Sequence, residues 1–478
     1  MMKRVILLSA FLLVSAIGYT QEKKVWTLRE IIDYAISNNL TIKRSTYNVE
    51  SNEINALQTK MAMLPTLNAN GNYGWNWGRT IDPTTNIFTT NQVRSSNLGA
   101  NSSLLLWNGF RLFYNMKQGE VDLEAVNEDL IKARNDVILN VITLYLNVVF
   151  NKELYNVAQL QVNSTLEQLE RTKKLVDAGS VPIADMLNLD AQLATNELNV
   201  IQRENSLNLS ILQLKQALQL PSSTSMDVEL PQLDLQNQLD ITKTVDEIFD
   251  IATMTMPEIK AAELRKRSSM FGYRAAKGNL YPRLSVNASY STIYSDQRQQ
   301  FFADGGFSTQ TSNVGYVQGS GTPVLRDVTT PTGQFLVPSL GDQYRDNRGR
   351  SVGISLQIPI FNGLSTRSAM QRAAISQSLA DITFRETSNT LRQTVETAYN
   401  NALAAIKTYQ STEKQVKARD EAFRMAKQRY NLGAVNFVDY QVAENNLFQA
   451  ESDLLRAKYD FIFRKKVLDF YQGLPLGF

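Results

Sequence analysis

Residues 67–77 read LNANGNYGWNW, and this stretch decides the fold class. Its odd-numbered positions run from Leu67 to Trp77 and include Tyr and two Trp, whereas every even-numbered position is Asn or Gly. Alternation with period two predicts a β-strand with two different faces. One face is mainly apolar and the other is polar without being charged, with aromatic rings near one end, which is typical of strands in a membrane barrel.

Three further stretches alternate in the same way, at 97–106, 284–294 and 351–360. Each has roughly the 9–11 residues that a tilted membrane strand needs. Four strands cannot close a barrel with room inside, and an open edge in lipid leaves unpaired backbone groups, so we predict closure with further copies of the chain. Two copies would give eight strands around an interior filled by side chains, and three would give twelve strands and a pore. The alternative is a soluble sheet with one face on a core.

The sequence contains an internal repeat. Residues 65–67 (PTL) recur as 282–284 (PRL) at an offset of 217 positions (282 − 65), and 107–109 (WNG) recur as 361–363 (FNG) at an offset of 254 (361 − 107). Each half is predicted to hold a short helix, two strands around a loop, a very long helix and a medium helix. The predicted division is a signal peptide at 1–18, a first structural repeat at 19–220, an equatorial linker at 221–244 and a second structural repeat at 245–478.

Two stretches are predicted to be very long helices. The first covers about 112–176 without proline, and the second, about 364–432, repeats its layout. At about 1.5 Å per residue each makes a rod of roughly 100 Å, which suits a coiled coil or a helical tube. Each ends before a glycine, and returning helices are predicted to begin with Pro182 as the first helical residue and behind Asn436 as the N-cap. Each half therefore contains an antiparallel helix hairpin.

Two stretches, 78–96 and 297–350, are predicted to be loops at the outer end of the barrel, because each joins a pair of strands. The second holds the extra length of the second half. It is rich in Gly, Ser, Thr and Asp and has no periodic apolar pattern.

The composition removes several classes of function. The 478 residues include no cysteine and no histidine, so the chain lacks thiolate metal sites, disulfides and the commonest general base. A formal net charge of +3 is too small to indicate a nucleic-acid partner, and a mean hydropathy of −0.25 excludes a bundle of transmembrane helices. We therefore predict no enzymatic activity, no cofactor and no metal. Lys3 and Arg4 precede an apolar stretch at 5–14, as in a secretory signal peptide.

In these features the sequence resembles the TolC-like outer-membrane efflux protein family. The resemblance covers essentially all of residues 26–475 and lies in the duplicated order of hairpins, in two strand-to-helix turns and in the Gly433-Ala434 tip followed by Asp439. The turns are formed by Trp107, Asn108, Gly109, Phe361, Asn362 and Gly363. The resemblance implies an α+β membrane protein in which the duplicated strand-hairpin and helix-hairpin unit forms a trimeric 12-stranded β-barrel, continued by a long α-helical barrel.

The resemblance also implies a function. Such proteins are outer-membrane exit ducts of tripartite efflux or type I secretion systems, passive conduits for exported solutes or proteins. We expect a homotrimer that lies in outer-membrane lipid, extends into the periplasm and docks on a periplasmic adaptor protein and an inner-membrane pump. The competing hypothesis is a structural coiled-coil envelope protein whose strands form a soluble sheet.

The resemblance further implies that the helix-hairpin tips form a closed periplasmic entrance. The Asp439 side chains of the assembled copies would form an acidic ring there. Val442 stands where relatives have a second acidic residue, and Val435 stands where they have a basic residue. Asp185 is the matching gate candidate of the first half. Alternatively, both aspartates only stabilise helix starts, where a carboxylate gains about 0.3–1 kcal/mol from the helix dipole. The predicted adaptor-docking residues at the tips are Gly179, Ser180, Gly433 and Ala434.

Overall fold

The computed structural model describes residues 25–90, 92–231 and 240–474, so the predicted signal peptide at 1–18 lies outside the described residues. Within these ranges the helices are α1 (Leu28–Asn38), α2 (Leu40–Met61), α3 (Arg111–Asp177), α4 (Ile183–Leu218), α5 (Val245–Thr255), α6 (Pro257–Gly278), α7 (Leu340–Asp346), α8 (Ser365–Asn431) and α9 (Phe437–Tyr471). The strands are β1 (Val25–Trp26), β2 (Thr66–Asn76), β3 (Thr80–Ile81), β4 (Phe88–Thr89), β5 (Val93–Trp107), β6 (Asp227–Val228), β7 (Arg283–Ser295), β8 (Gln300–Tyr316), β9 (Pro323–Leu336) and β10 (Gly349–Gln357).

The main sheet has four strands in the order β10-β7-β5-β2, and all neighbouring strands run antiparallel. These are the four strands that the alternating pattern predicts, although β5 already begins at Val93. The β5–β7 pairing joins the first half of the chain to the second. Every residue of β10 is exposed, and so is every residue of β2 except Gly74. The two outer strands therefore differ from the paired strands between them.

The two hairpins of this sheet have the same register. Leu98 lies opposite Gly71 in the first hairpin, and Val352 lies opposite Ala288 in the second. Val352 follows Leu98 by 254 positions (352 − 98), and Ala288 follows Gly71 by 217 (288 − 71). These are the offsets of the sequence repeat, so corresponding residues of the two halves occupy corresponding places in the sheet.

The predicted loop at 297–350 contains regular structure instead, and in this respect the prediction was wrong. β8 and β9 form a hairpin with strands of 17 and 14 residues, and α7 follows it. The sequence pattern misses these strands because both faces carry polar side chains. Ser308 lies opposite Thr330 on one face, and Thr309 lies opposite Thr329 on the other, so no apolar face generates an alternation.

Each half begins with two helices rather than with one short helix. The extended residue Asn39 separates α1 from α2, and Met256 separates α5 from α6. α1 and α5 each start in a capping box, in which the side chain of Thr27 or Thr244 and a glutamate three residues later satisfy each other's backbone N–H groups. The first break has neither proline nor glycine beside it. The second is marked in the sequence, because Pro257 directly follows Met256, and proline disfavours a helical residue before it and suits the first position of a helix.

The chain divides into two compact units. The first combines the described residues up to 54 with 119–269 and 376–474, and long helices build its core. Val141 and Tyr145 of α3, Leu214 of α4 and Phe461 of α9 are all at most 1% exposed there. Among the described helices, α3 alone contains a stretch long and apolar enough, by length and composition, to cross a membrane. The second unit, 55–118 and 270–375, holds the sheet and the β8–β9 hairpin.

Part of the predicted linker at 221–244 packs against the helices. β6 pairs in parallel with β1, and Val228 is fully buried. The Tyr145 hydroxyl donates to the Glu229 carbonyl at 2.7 Å, and Lys152 forms an ion pair with Asp227 at 2.7 Å. These contacts fasten the start of the linker to α3.

Candidate functional site

Each long helix ends in a tight reversal, and the two tips contain the predicted docking and gating residues. Gly179 has a φ of 75° at the first tip, and Gly433 has a φ of 68° at the second. The N–H groups of Ser180 and Ala434 each donate to a carbonyl five residues earlier, at 2.8 Å. This C-cap needs a left-handed residue, a conformation that glycine adopts without strain. Both long helices thus end where the glycines predict.

The returning helices begin differently at the two tips. Asn436 caps α9, and its side-chain Oδ1 accepts a hydrogen bond from the Asp439 N–H at 2.8 Å. Pro182, predicted to be the first residue of α4, is instead its N-cap, because its ψ of 145° is extended and no side-chain hydrogen bond closes the cap. Asp185 and Asp439 lie in the first turns of α4 and α9, where a carboxylate interacts favourably with the helix dipole.

A cleft of about 590 Å³ lies between the two tips. Four predicted site residues line it, namely Ser180, Asp185, Gly433 and Val435. The other four lie off its wall and are exposed, namely Gly179, Ala434, Asp439 and Val442. Within one chain, the two aspartates therefore have different surroundings, since Asp185 is half-buried in the cleft and Asp439 projects from the surface.

An aromatic cluster joins the two tips beside the cleft. Leu189 of α4 packs with Phe437 and Tyr440 of α9, and all three are buried. Tyr430, near the end of α8, stacks on Tyr440 with ring centroids 5.1 Å apart. Burial raises the pKa of the Tyr440 hydroxyl, and burial followed by the charge of Asp185 raises the pKa of Tyr430. Both hydroxyls are therefore neutral, and the cluster links the hairpins without charge.

A buried carboxyl lies one helical turn beyond this cluster. Glu444 is 6% exposed, and it accepts hydrogen bonds from Gln168 Nε2 at 3.0 Å and from Ser164 Oγ at 3.5 Å. Burial raises the pKa of Glu444 above that of an exposed glutamate. The sequence holds one signal for this residue, because Glu444 falls between Tyr440 and Leu447 on the buried face of α9. Our sequence reasoning missed it.

Amide side chains tie the two hairpins together as well. Asn196 Nδ2 of α4 donates to Thr165 Oγ1 of α3 at 2.9 Å. Gln192 Nε2 donates to Asn196 Oδ1 at 2.9 Å and accepts, at its own Oε1, a hydrogen bond from Gln441 of α9. The chain of hydrogen bonds runs from α3 through α4 to α9. It supplements the apolar contact with directional bonds that fix the relative positions of the helices.

The two strand-to-helix turns have the same backbone conformation but different neighbours. Gly109 has a φ of 65°, and Gly363 has a φ of 62°. A Cβ on Gly109 would lie 2.5 Å from the carbonyl oxygen of Gly278, at the end of α6, whereas a Cβ on Gly363 would meet nothing within 4 Å. The first turn therefore packs tightly against α6, and the second has no such partner in the part of the chain that the structure describes.

The remaining turn residues follow the same division. Asn108 is buried and accepts a hydrogen bond from a backbone N–H of α3 at 3.5 Å, whereas Asn362 is exposed and hydrogen-bonds to the start of α8. The Trp107 ring packs edge-on against Phe110 with centroids 4.5 Å apart, whereas 81% of Phe361 is exposed. Packing distinguishes the first turn from the second.

The chemistry that the tips offer is electrostatic and mechanical. Exposed and half-buried carboxylates can attract cations, while the aromatic and amide contacts can hold the hairpins together or release them. In the part of the chain that the structure describes, no group of three or more Asp and Glu side chains has the arrangement of a metal site.

Comparisons with known proteins agree with this geometry. A sequence profile described as "Outer membrane efflux protein" matches residues 31–219 and 250–464. Outer membrane protein TolC of Escherichia coli (strain K12) is 24% identical over 332 residues, which cover 69% of this chain but 59% of that relative. The chain thus spans less than two thirds of that relative's length.

Solved structures share the fold. The outer membrane protein VceC from Vibrio cholerae matches 94% of this chain and 97% of its own with a TM-score of 0.72, at 13% identity. The Neisseria gonorrhoeae MtrE outer membrane channel matches 94% of this chain and 89% of its own with a TM-score of 0.69, at 19% identity. At these identities the likeness concerns the fold alone.

Proposed function

Because the chain belongs to the outer membrane efflux protein family, we propose that it is the exit duct of a tripartite efflux or type I secretion system. In this proposal it is a passive conduit for exported solutes or proteins and has no catalytic activity. It lies in the outer membrane and extends into the periplasm. The proposed assembly is a homotrimer in outer-membrane lipid, joined to a periplasmic adaptor protein and an inner-membrane pump.

The observation that carries the proposal is the pair of bare edges on the four-stranded sheet. β2 and β10 lie at its two ends, without an outer partner among the described strands. In lipid each unpaired backbone group would cost several kcal/mol, so such a sheet must close. Pairing of β10 in one copy with β2 in the next satisfies both edges, and three copies give twelve strands with room for a pore.

The internal repeat specifies how two copies should pair. Within the chain, Leu98 of β5 lies opposite Thr292 of β7. The offsets of 254 and 217 convert this pair into Val352 of one copy opposite Trp75 of the next (98 + 254 and 292 − 217). In the single chain 77% of Val352 and 50% of Trp75 are exposed. In the proposed assembly, lipid and the neighbouring strand would cover these two side chains.

The proposed entrance lies at the helix-hairpin tips. Asp439 is exposed, and three copies would place three carboxylates around a narrow opening, where such rings attract cations and repel anions. Val442, one turn further along, would supply a neutral ring. Apolar packing around Val435 and Val442 would then hold the entrance closed. Asp185 lines the cleft inside one chain and would act mainly on the start of α4.

Planar-bilayer recording and native mass spectrometry test the duct. The proposal predicts three chains per particle and stepwise single-channel conductance. Asp439→Asn should weaken cation selectivity and blunt block by multivalent cations added on the periplasmic side, and Asp185→Asn should do much less. Equal changes of selectivity in the two variants, or no change in either, would contradict the assignment of Asp439 to an acidic ring. A stable monomer or dimer with full β content would contradict the duct and favour the structural envelope protein.

The adaptor is proposed to dock at the two tips. Gly179, Ser180, Gly433 and Ala434 are exposed there, and their hydrogen-bonded reversals present a fixed backbone shape. A photo-crosslinking residue at Ala434, introduced into the protein in its native envelope, should capture a periplasmic adaptor that co-purifies with an inner-membrane pump. The same residue at the exposed Thr41 of α2 serves as control. Equal capture at both positions would contradict docking at the tips.

A further inference from the structure

A cleft of about 370 Å³ lies beside the first strand-to-helix turn, in the unit that holds the sheet. Its wall combines two cations, Arg274 and Lys277 of α6, with aromatic rings, and its volume is within the usual range of small-molecule sites. The guanidinium carbon of Arg274 lies 5.8 Å from the centre of the Tyr114 ring. The aromatic residues on the wall are Trp107, Phe110, Tyr114 and Tyr281.

The positive charge of this cleft is not neutralised. None of its lining residues is acidic, and neither Arg274 nor Lys277 forms an ion pair within 25–90, 92–231 or 240–474. Next to the cleft, Arg111 donates from Nη1 to Asn279 at 3.0 Å, while its buried Nε has no partner in the described chain. The Nδ2 of Asn108, a residue that is 6% exposed, is also buried without a partner there. Hydrogen-bond donors thus exceed acceptors around this turn.

The second turn shows that the backbone conformation does not require these side chains. The repeat places Ser365 where the first turn has Arg111, and Leu57 where it has Arg274. Leu64 takes the place of Tyr281, and Lys60 alone preserves the charge of its counterpart, Lys277. The second turn nevertheless has the same left-handed backbone. The cationic and aromatic cleft is therefore a feature added to one junction, beyond what the fold demands.

We infer that this cleft binds the phosphate of a glycerophospholipid, with Arg274 and Lys277 on the phosphate and the acyl chains along Trp107 and Phe110. The inference rests on the proposed placement of the four-stranded sheet in the membrane, because the cleft lies where β5 ends and α3 begins. Cations that flank a membrane-spanning segment bind lipid head groups, and Trp and Tyr rings prefer this interfacial level. The exposed faces of Trp107, Phe110 and Tyr281 fit that environment.

Native mass spectrometry of the full-length protein, released from detergent after addition of phosphatidylglycerol, tests the site. The double variant Arg274→Gln, Lys277→Gln should lower the apparent affinity for phosphatidylglycerol by about tenfold or more, since two cations near the head group are lost. Lys60→Gln, the matched change on α2, should leave binding at the wild-type level. The charge-preserving double variant Arg274→Lys, Lys277→Arg should retain most of the binding.

Equal binding by the wild type and the Gln double variant would overturn the inference. Displacement of the lipid by inorganic phosphate at about millimolar concentration would also overturn it, because the site would then take the free ion. Single-channel conductance of the same samples separates the two proposals. Loss of lipid with normal conductance supports the lipid site and leaves the duct intact, whereas absence of conductance in every sample, the wild type included, contradicts the duct.

Discussion

Inside the sheet, β5 and β7 pair along most of their lengths, whereas no described strand pairs with the outer sides of β10 and β2, their counterparts under the repeat. The strand-to-helix turns differ in the same way, since a Cβ added to Gly109 would clash with the end of α6, whereas a Cβ added to Gly363 would meet nothing within 4 Å among the described residues. The backbone is equivalent in both cases, and only the neighbour is missing. One junction is completed within the chain, and it provides a template for the junction that a second copy must complete.

The largest expected difference between the two junctions comes from adding one methyl group at each turn. Gly109→Ala must displace the backbone of Gly278 as well as adopt a left-handed conformation, so it should cost about 3–5 kcal/mol of unfolding free energy. Gly363→Ala should cost about 1–2 kcal/mol, from the conformation alone. Denaturant unfolding of both variants in detergent measures the difference. Equal losses would mean that the first turn is no more tightly packed than the second.

A charge on the bare strand distinguishes the membrane barrel from a soluble sheet. Ile354→Lys places a cation on the mainly apolar face of β10 and should destabilise the assembled barrel by about 2–4 kcal/mol if that face meets lipid. Ser355→Lys, on the opposite face, should cost well under half of that. The midpoint of the heat-dependent shift in gel migration reports both effects. Equal effects would favour the soluble sheet.

The two helix hairpins differ in a buried carboxyl, which predicts a pH effect in one half alone. Because burial raises the pKa of Glu444 above its usual 4.5, the folded state binds this proton more tightly than the unfolded state. The stabilisation is present below about pH 4.5 and is lost as pH rises through the folded pKa. Glu444→Gln should therefore raise the free energy of unfolding in urea by about 1 kcal/mol at pH 8 and leave it unchanged at pH 4.

The control for this prediction is the residue at the equivalent position of α4. Asp190 precedes Glu444 by 254 positions (444 − 190) and is exposed. Asp190→Asn should leave the urea midpoint unchanged at both pH values. A gain at pH 8 in the Asp190 variant, or none in the Glu444 variant, would show that burial of Glu444 does not govern the effect.

The smallest expected difference lies at the first helix of each half, where both halves make the same contacts within the chain. Thr27 and Thr244 both form capping boxes, so Thr27→Ala and Thr244→Ala should each lower the free energy of unfolding by about 1 kcal/mol. Thermal unfolding of the two variants under one condition compares them. A clearly larger loss in one variant would show that the equivalence of the halves does not extend to their first helices.

The features that the sequence predicts well depend on local periodicity. The alternation at 67–77 gives β2 nearly to the residue, and Gly179 and Gly433 give the ends of the long helices. The pattern fails for β8 and β9, because polar side chains on both faces leave no periodic signal. The start of α4 is misplaced by one residue at Pro182, because proline suits both the first helical position and the extended residue before it.

The candidate site is less predictable than the fold. Asp185 and Asp439 can be placed in first helical turns from sequence, but the cleft beside Asp185 requires α4 and α9 to approach each other in space. Glu444 is ambiguous for the same reason, since a carboxyl on a long helix usually faces water and only packing against α3 buries it. Contacts between residues far apart in sequence decide these features, and the local signal for Glu444 is limited to its position between Tyr440 and Leu447 on one face of α9.

Disulfide trapping tests the closure of the barrel most directly, because the chain has no cysteine of its own. The pair Asn101–Ser289 within the sheet converts, by the repeat offsets, into Ser355 of one copy opposite Asn72 of the next. Oxidation of the double variant Ser355→Cys, Asn72→Cys in the outer membrane should yield a covalent trimer. Shifting the second cysteine by one residue, to Tyr73→Cys, turns it to the other face and should abolish trapping. A monomer from the first pair, or equal trapping by both, would contradict pairing of β10 with β2.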